Sequence, residues 1–316
     1  MKDVAVLLAT YNGAKYIREQ LDSLFEQSCQ DFRLIIHDDG STDETVSILE
    51  EYLNKYKDRI EIIYGHPTGS PKANFMYLLS QVEADYYFFC DQDDVWYPDK
   101  IKKSLDILID TEMSAKHMSK EPVAVFSDMT VVDNELNIID NSFIRYLGRS
   151  PKNIQYTQIL IDNPAAGTTM CFNRTLRDIA ISCDSVRWEN VPMHDAWVLE
   201  LGAIFGTVKA IDEPMVYYRQ TGDNIMGAVT ESTSEKVSRN AKDVSNGLLE
   251  KKKAFINEAR IFAREILRLK DIPEDKLKVL NGFVHIGSKP KLYRINYYRK
   301  HNFTRAKHNL WMQLWV

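Results

Sequence analysis

The chain has 316 residues, 44% of them hydrophobic, and a formal net charge of −5. That is enough for one large domain plus an appendage, and no stretch approaches the about 20 apolar residues of a membrane-spanning helix. A short apolar run near the start gives way at once to a polar turn, so no signal peptide is expected. Cys29, Cys90, Cys171 and Cys183 lack metal-ligand spacing and are expected as free thiols in a reducing cytoplasm.

Val4–Ala9 reads as a strand ending in the turn Thr10-Tyr11-Asn12-Gly13. Ile17, Leu21, Leu24 and Phe25 follow at helical spacing. Phe32–His37 is a second strand, closed by Asp38-Asp39-Gly40-Ser41, and Thr42–Thr45 opens a helix carrying Val46, Leu49 and Leu53. Ile60–Tyr64 reads as a third strand, Ala73–Val82 as a helix and Tyr86–Cys90 as a fourth strand. Strands alternating with helices imply an α/β fold, with a mostly parallel sheet flanked by helices. Ligands bind at the carboxyl edge of such sheets. Thr10, Asp38/Asp39 and Asp91/Asp93 all fall at that edge.

Asp91-Gln92-Asp93 is the most pointed of these signals. Two carboxylates at a strand end repel each other unless a cation lies between them. A divalent cation carrying a nucleotide diphosphate answers that need, because Mg²⁺ is usually held by one or two carboxylates plus substrate phosphates. An ordinary turn or helix cap is the plain alternative for any single Asp.

Ala9–Gly13, Asp38–Asp43 and Asp91–Pro98, in this order and spacing, resemble the motifs of family 2 inverting glycosyltransferases with the Rossmann-like GT-A fold. His194-Asp195-Ala196-Trp197 and the segment Tyr217–Asn224 narrow the resemblance to bacterial cell-wall polysaccharide rhamnosyltransferases. The resemblance covers roughly residues 3–228. It implies metal-dependent, inverting transfer of a sugar from a nucleotide-sugar donor, with dTDP-β-L-rhamnose expected and a UDP-hexose as the near alternative. A lipid-linked saccharide is the implied acceptor, in cell-wall or capsular polysaccharide synthesis.

The same resemblance distributes roles. Thr10, Tyr11, Asn12 and the Asp38–Asp39 turn would hold base and ribose, with Asp39 favoured for the base although sequence alone does not separate it from Asp38. Lys72 and Asn74 are candidates for nucleotide or phosphate contact. Asp91 and Gln92 would face the donor, and Asp93 with Asp91 would bind Mg²⁺ or Mn²⁺. Asp195 is the expected general base, which inversion needs on the face opposite the leaving group. His194, Gly167, Thr168 and Trp197 would form the acceptor side. Arg219 and Asn224 would meet the diphosphate, since a guanidinium suits one. Thr221 stands where many relatives carry His, which leaves open a further ligand from that loop.

Charge divides the chain. Residues 1–228 hold 21 Lys/Arg and 36 Asp/Glu, whereas residues 229–316 hold 19 and 9. The first segment is expected to be the catalytic domain and the second a basic, aromatic helical region. Tyr293, Tyr297, Phe303, Trp311 and Trp315 lie there among Lys and Arg. Such a segment suits an anionic membrane surface, placing the protein at the inner face of the cell membrane. Alternatively it packs on the catalytic domain or on a second copy in a homo-oligomer. The acidic first half and the lack of a nucleic-acid motif argue against a nucleic-acid ligand. Two other classes share parts of this pattern. A sugar nucleotidyltransferase would need a glycine-rich, Arg-containing loop that Thr10–Gly13 is not. A non-catalytic nucleotide-sugar-binding protein would have no use for Asp195.

Overall fold

The computed structural model describes residues 2–114, 121–221 and 241–306. In chain order they form β1 (Val4–Thr10), α1 (Ile17–Phe25), β2 (Arg33–Asp38), α2 (Thr45–Lys55), β3 (Ile60–Ile62), α3 (Pro71–Gln81) and β4 (Tyr86–Cys90). A short β5 (Val95–Trp96), α4 (Lys100–Ser114), β6 (Val123–Val132), β7 (Ile138–Asp140), α5 (Phe143–Tyr146) and α6 (Tyr156–Asp162) follow. Then come β8 (Met170–Asn173), α7 (Arg174–Ile181), α8 (His194–Phe205) and β9 (Thr207–Arg219), and finally α9 (Ala241–Ile266), α10 (Glu274–His285) and α11 (Lys291–Lys300).

Among the described residues the strands form one sheet in the order β3-β2-β1-β4-β8-β6-β9-β5, with β7 beside β6. The first four strands pair in parallel, as the alternation of strands and helices predicts. Beyond β4 the sheet becomes mixed: β8 is antiparallel to both β4 and β6, while β9 runs parallel to β6. The expected mostly parallel sheet is therefore its N-terminal half. Every residue of β4 is buried, which is why that strand reads as an unbroken apolar run rather than an alternating one.

Register sets the functional edge. Thr10 pairs with Asp38 across β1 and β2, and Leu8 pairs with Cys90 across β1 and β4. The residues that follow Thr10, Asp38 and Cys90 therefore leave the sheet side by side. Helix starts reinforce this. In α3 the side chain of Ser70 accepts the Ala73 N–H and Pro71 occupies the first turn, where its missing N–H costs nothing.

The C-terminal helices share the core built on one face of the sheet. Ile256, Phe262 and Ile266 of α9, Leu280 and Phe283 of α10, Tyr298 of α11 and Phe303 join the cluster that contains Phe89, Trp197 and Leu201. Lys276 donates to the carbonyls of Ala203 (3.1 Å) and Ile204 (2.6 Å), capping the end of α8. Two of the tail aromatics expected at a membrane surface, Tyr297 and Phe303, pack on the protein instead. Phe303 is fully buried and Tyr297 donates its hydroxyl to the Val279 carbonyl. Tyr293 stays exposed, next to Leu292. Trp311 and Trp315 lie outside the described residues, as does the expected boundary at residue 228.

Candidate active site

The loop after β1 and the turn after β2 are stitched together by side chains. Asn12 takes a left-handed conformation (φ 47°), which Asn tolerates better than most residues. Its N–H donates to Ser41 Oγ (2.8 Å), and its side-chain oxygen accepts the Thr42 N–H (2.8 Å). Asp38 turns inward, accepting Thr10 Oγ1 (2.8 Å), Ser41 Oγ (2.6 Å) and the Ser41 N–H (2.7 Å). Asp39 reaches across instead to the loop before α3, where it accepts the Thr68 hydroxyl (2.8 Å) and the Gly69 N–H (2.9 Å). Asp38 is thus the residue that builds the turn. Asp39 presents its carboxylate to the segment bordering the edge.

Gln92 locks the loop after β4 onto the loop after β1. Its amide exchanges two hydrogen bonds with the Tyr11 backbone, both 2.9 Å, and packs on Gly13, where a Cβ would lie 2.3 Å from Gln92 Oε1. The side chain of Tyr11 is left 56% exposed at this edge.

The carboxylates converge behind it. Burial, then the neighbouring Asp93 and Asp195, push the Asp91 carboxyl up to about 8. Burial also raises Asp93. Asp94, which the sequence reading passed over, is fully buried and accepts the Arg219 N–H (3.2 Å); burial and its two acidic neighbours hold it well above the usual range. Lys100, also buried, lies over the rings of Trp96 and Phe88, and burial lowers it to about 8.

Asp195 stands in the first turn of α8, where the helix dipole favours a negative charge. Burial raises it to about 6, against the opposing pull of the Ala196 and Gly167 N–H groups and of Arg149. Gly167 is required here: a Cβ on it would lie 2.7 Å from His194 Nε2 and 3.7 Å from Asp195 Cβ. His194 is stacked on Phe75 (4.1 Å) and edge-on to Phe89 (4.7 Å), and burial lowers it to about 3. Its imidazole is a poorer base than Asp195 and serves as packing for the Asp195 turn. Thr168 is buried and accepts the Trp96 indole N–H (3.2 Å).

Several expected contacts are engaged elsewhere. Trp197 is fully buried, donates to the Ala180 carbonyl (2.9 Å) and is edge-on to Trp188, so it is core and not an acceptor contact. Lys72 donates to the carbonyls of Trp188 and Val191, tying α3 to the loop before α8. Asn74 bridges β1 and β2 from beneath, donating to the His37 carbonyl (3.2 Å) and meeting His37 Nδ1 at 2.8 Å. Arg219 is 1% exposed. Its Nε donates to the Asp93 carbonyl (3.0 Å), its other nitrogens reach the Asn134 carbonyl and Glu19, and the guanidinium lies over Tyr16. It braces the Asp91–Asp94 loop from behind instead of projecting toward a diphosphate. Asn224 lies outside the described residues.

The donor set bears on the implied cation. Among the described residues no group of three or more His, Cys, Asp and Glu is arranged to hold a metal ion alone. Asp91 and Asp93 are neighbouring carboxylates, and Arg219 offsets the charge on Asp93 only in part. That fits an ion arriving with substrate phosphates and does not fit an all-protein cage.

The chain is similar to several known proteins. Residues 5–119 match the family model for Glycosyl transferase family 2. A dTDP-rhamnosyl transferase, RfbG of Shigella flexneri, is 43% identical over 106 residues, which cover 32% of this chain and 37% of that relative. The chain thus aligns with little more than a third of that relative's length. Among solved structures, S. aureus TarS 1–349 in complex with UDP superposes with a TM-score of 0.56 at 20% identity, covering 90% of this chain and 70% of that one. The mannosyltransferase PcManGT from Pyrobaculum calidifontis, in complex with GDP-Man and Mn²⁺, gives 0.51 at 16% identity, covering 96% and 75%. Residues 5–119 are thus similar to family 2 glycosyltransferases, and the chain as a whole shares the GT-A fold of those solved structures.

Proposed function

We propose that this protein transfers a sugar, L-rhamnose from dTDP-β-L-rhamnose, with inversion onto a lipid-linked saccharide. The observation that carries the reading is the meeting of Asp91, Asp93 and Asp195 at one sheet edge, close enough for Asp195 to raise Asp91. Tyr11 and Asp39 border the same edge and suit a pyrimidine base. Asp91 and Asp93 would hold a divalent cation, which when bound offsets charge on the departing diphosphate. Asp195 takes the proton of the acceptor hydroxyl as it attacks the anomeric carbon, so no covalent enzyme intermediate is needed. The Gly167 and Ala196 N–H groups keep that carboxylate oriented.

The rhamnose donor is favoured by the identity with RfbG. A UDP-sugar is the second reading, favoured by the superposition on TarS in complex with UDP. Incubation with a panel of nucleotide sugars and Mg²⁺, reading released nucleoside diphosphate, separates them. We expect turnover of dTDP-rhamnose that excess chelator abolishes, and that Asp93→Ala abolishes without unfolding the protein. Efficient turnover of a UDP-hexose in place of dTDP-rhamnose would reassign the donor. Full activity in chelator would remove the metal.

Membrane contact by the basic C-terminal region belongs to the same proposal. No helix among the described residues is long and apolar enough to cross a membrane. On α11 and just before it, Leu292 (77% exposed) and Tyr293 (52%) sit among the exposed Lys289, Lys291 and Lys300. Each basic group near an anionic surface contributes about 1 kcal/mol. Lys291→Ala with Lys300→Ala is therefore expected to weaken binding to phosphatidylglycerol vesicles about 20–30-fold at moderate salt, with stability unchanged. Sedimentation with such vesicles checks it, and equal binding by the double variant would count against membrane contact.

A further inference from the structure

Beside Asp195 the structure holds two guanidiniums on one buried carboxylate. Helix α5 ends in a Schellman turn: Gly148 adopts φ 71° and the Arg149 N–H returns to the Ile144 carbonyl (2.8 Å). That turn sends the Arg149 side chain inward, where Nε lies 3.6 Å from Asp162 Oδ1. Arg305 approaches the same oxygen from the C-terminal segment, at 3.1 Å. Asp162 is 2% exposed at the side chain and ends α6. The chain then runs directly to Gly167, whose Cβ position is in van der Waals contact with Asp195.

Two guanidiniums thus share the Asp162 carboxylate. Arg149 Nη1 is buried and has no hydrogen-bond partner among the described residues. A buried donor left unmade costs about 1–3 kcal/mol, so such groups are normally satisfied by something. A structural clamp between α6 and the tail needs only Arg305, since Thr157 and Gln155 already bind Asn302 there. Arg149 is surplus to that clamp, and Asp195 is the other carboxylate within its field. Guanidinium N–H groups in a fixed fork match the oxygens of a phosphate ester.

We propose that Arg149, supported by Arg305 through Asp162, is an anion site for a phosphate ester of the acceptor, placed beside the carboxylate that deprotonates the acceptor hydroxyl. This rests on the proposed function only in taking the Asp195 side as the acceptor side. The site sets which acceptors are bound, and Arg149 itself neither gives nor takes a proton.

The test is a titration of glucose 1-phosphate, with methyl glucoside as the neutral control, with and without saturating dTDP and Mg²⁺. We expect the sugar phosphate to bind in both cases and the neutral sugar at least tenfold more weakly. In Arg149→Gln the sugar-phosphate affinity should fall about tenfold or more, as loss of a charged hydrogen bond implies, while dTDP affinity and the melting temperature stay put. Arg149→Lys should recover part of the loss. Unchanged binding in Arg149→Gln overturns the site. So does a variant that weakens phosphatidylglycerol-vesicle binding but not sugar-phosphate binding, because the group would then read lipid headgroups. If Arg149→Gln fails to fold, Arg305→Gln, on a more exposed side chain, gives the same reading. A protein that binds glucose 1-phosphate but no nucleotide would keep this site and defeat the proposed function instead.

Discussion

Asp195→Asn is expected to bind the donor normally and turn it over about 10²–10⁴-fold more slowly, the usual cost of losing a general base. The substitution is nearly isosteric and keeps the acceptor oxygen for the Ala196 N–H, so the turn at the start of α8 survives. What it removes is the ability to take a proton. The sign of the pH dependence follows from the raised pKa of about 6. The base must be ionised to act, so kcat/KM falls as pH drops through about 6 and is level above it until another group titrates. Burial opposes its ionisation, and Arg149 favours it. His194 stays neutral throughout this range, because burial between Phe75 and Phe89 keeps it uncharged down to about pH 3. The acid limb should therefore vanish in Asp195→Asn along with most of the rate, and persist in His194→Gln. An Asn variant within a few-fold of the parent would move the role to another residue.

Phe283→Ala is expected to destabilise the whole protein by about 3–5 kcal/mol, the usual cost of deleting a buried aromatic ring. Phe283 is fully buried, stacked on Phe303 (4.5 Å) and edge-on to Tyr298 (5.9 Å). These rings belong to the cluster that also holds Trp197 and Leu201 of α8. Loss of Phe283 should therefore lower a single cooperative transition, read by urea denaturation with both far-ultraviolet and tryptophan signals. A detachable tail would behave differently: the catalytic domain would unfold at its original midpoint, and the two signals would separate. By the same reasoning, deletion of residues 276–316 removes Leu280, Phe283, Tyr298 and Phe303 together with the Lys276 cap on α8, and is expected to prevent folding. That makes surface substitutions on α11 the proper probe of membrane contact.

The sequence by itself determined the parallel half of the sheet and the motifs at its edge. Those are local facts: period-2 and 3.6-residue patterns, strands ending in Asp and Gly turns, and an Asp-x-Asp directly after a fully apolar strand. It did not separate Asp38 from Asp39, because both sit in one turn. Only the tertiary structure shows Asp38 bonded to its own turn and Asp39 reaching Thr68 and Gly69. It likewise did not reveal that Arg219, Lys72 and Asn74 are held by backbone carbonyls of distant segments, since a polar side chain carries no sign of which partner folding brings to it. Trp197 lies in a helix buried on nearly every face, so no periodicity marks an inward or outward side. Arg149 left no motif at all. Its place depends on a left-handed glycine, on a carboxylate at the end of another helix, and on a third charge from the C-terminal segment. Local pattern fixes elements because it acts through the chain's own periodicity. Which polar groups remain for a substrate is decided when elements far apart in sequence satisfy, or fail to satisfy, one another's hydrogen bonds and charges.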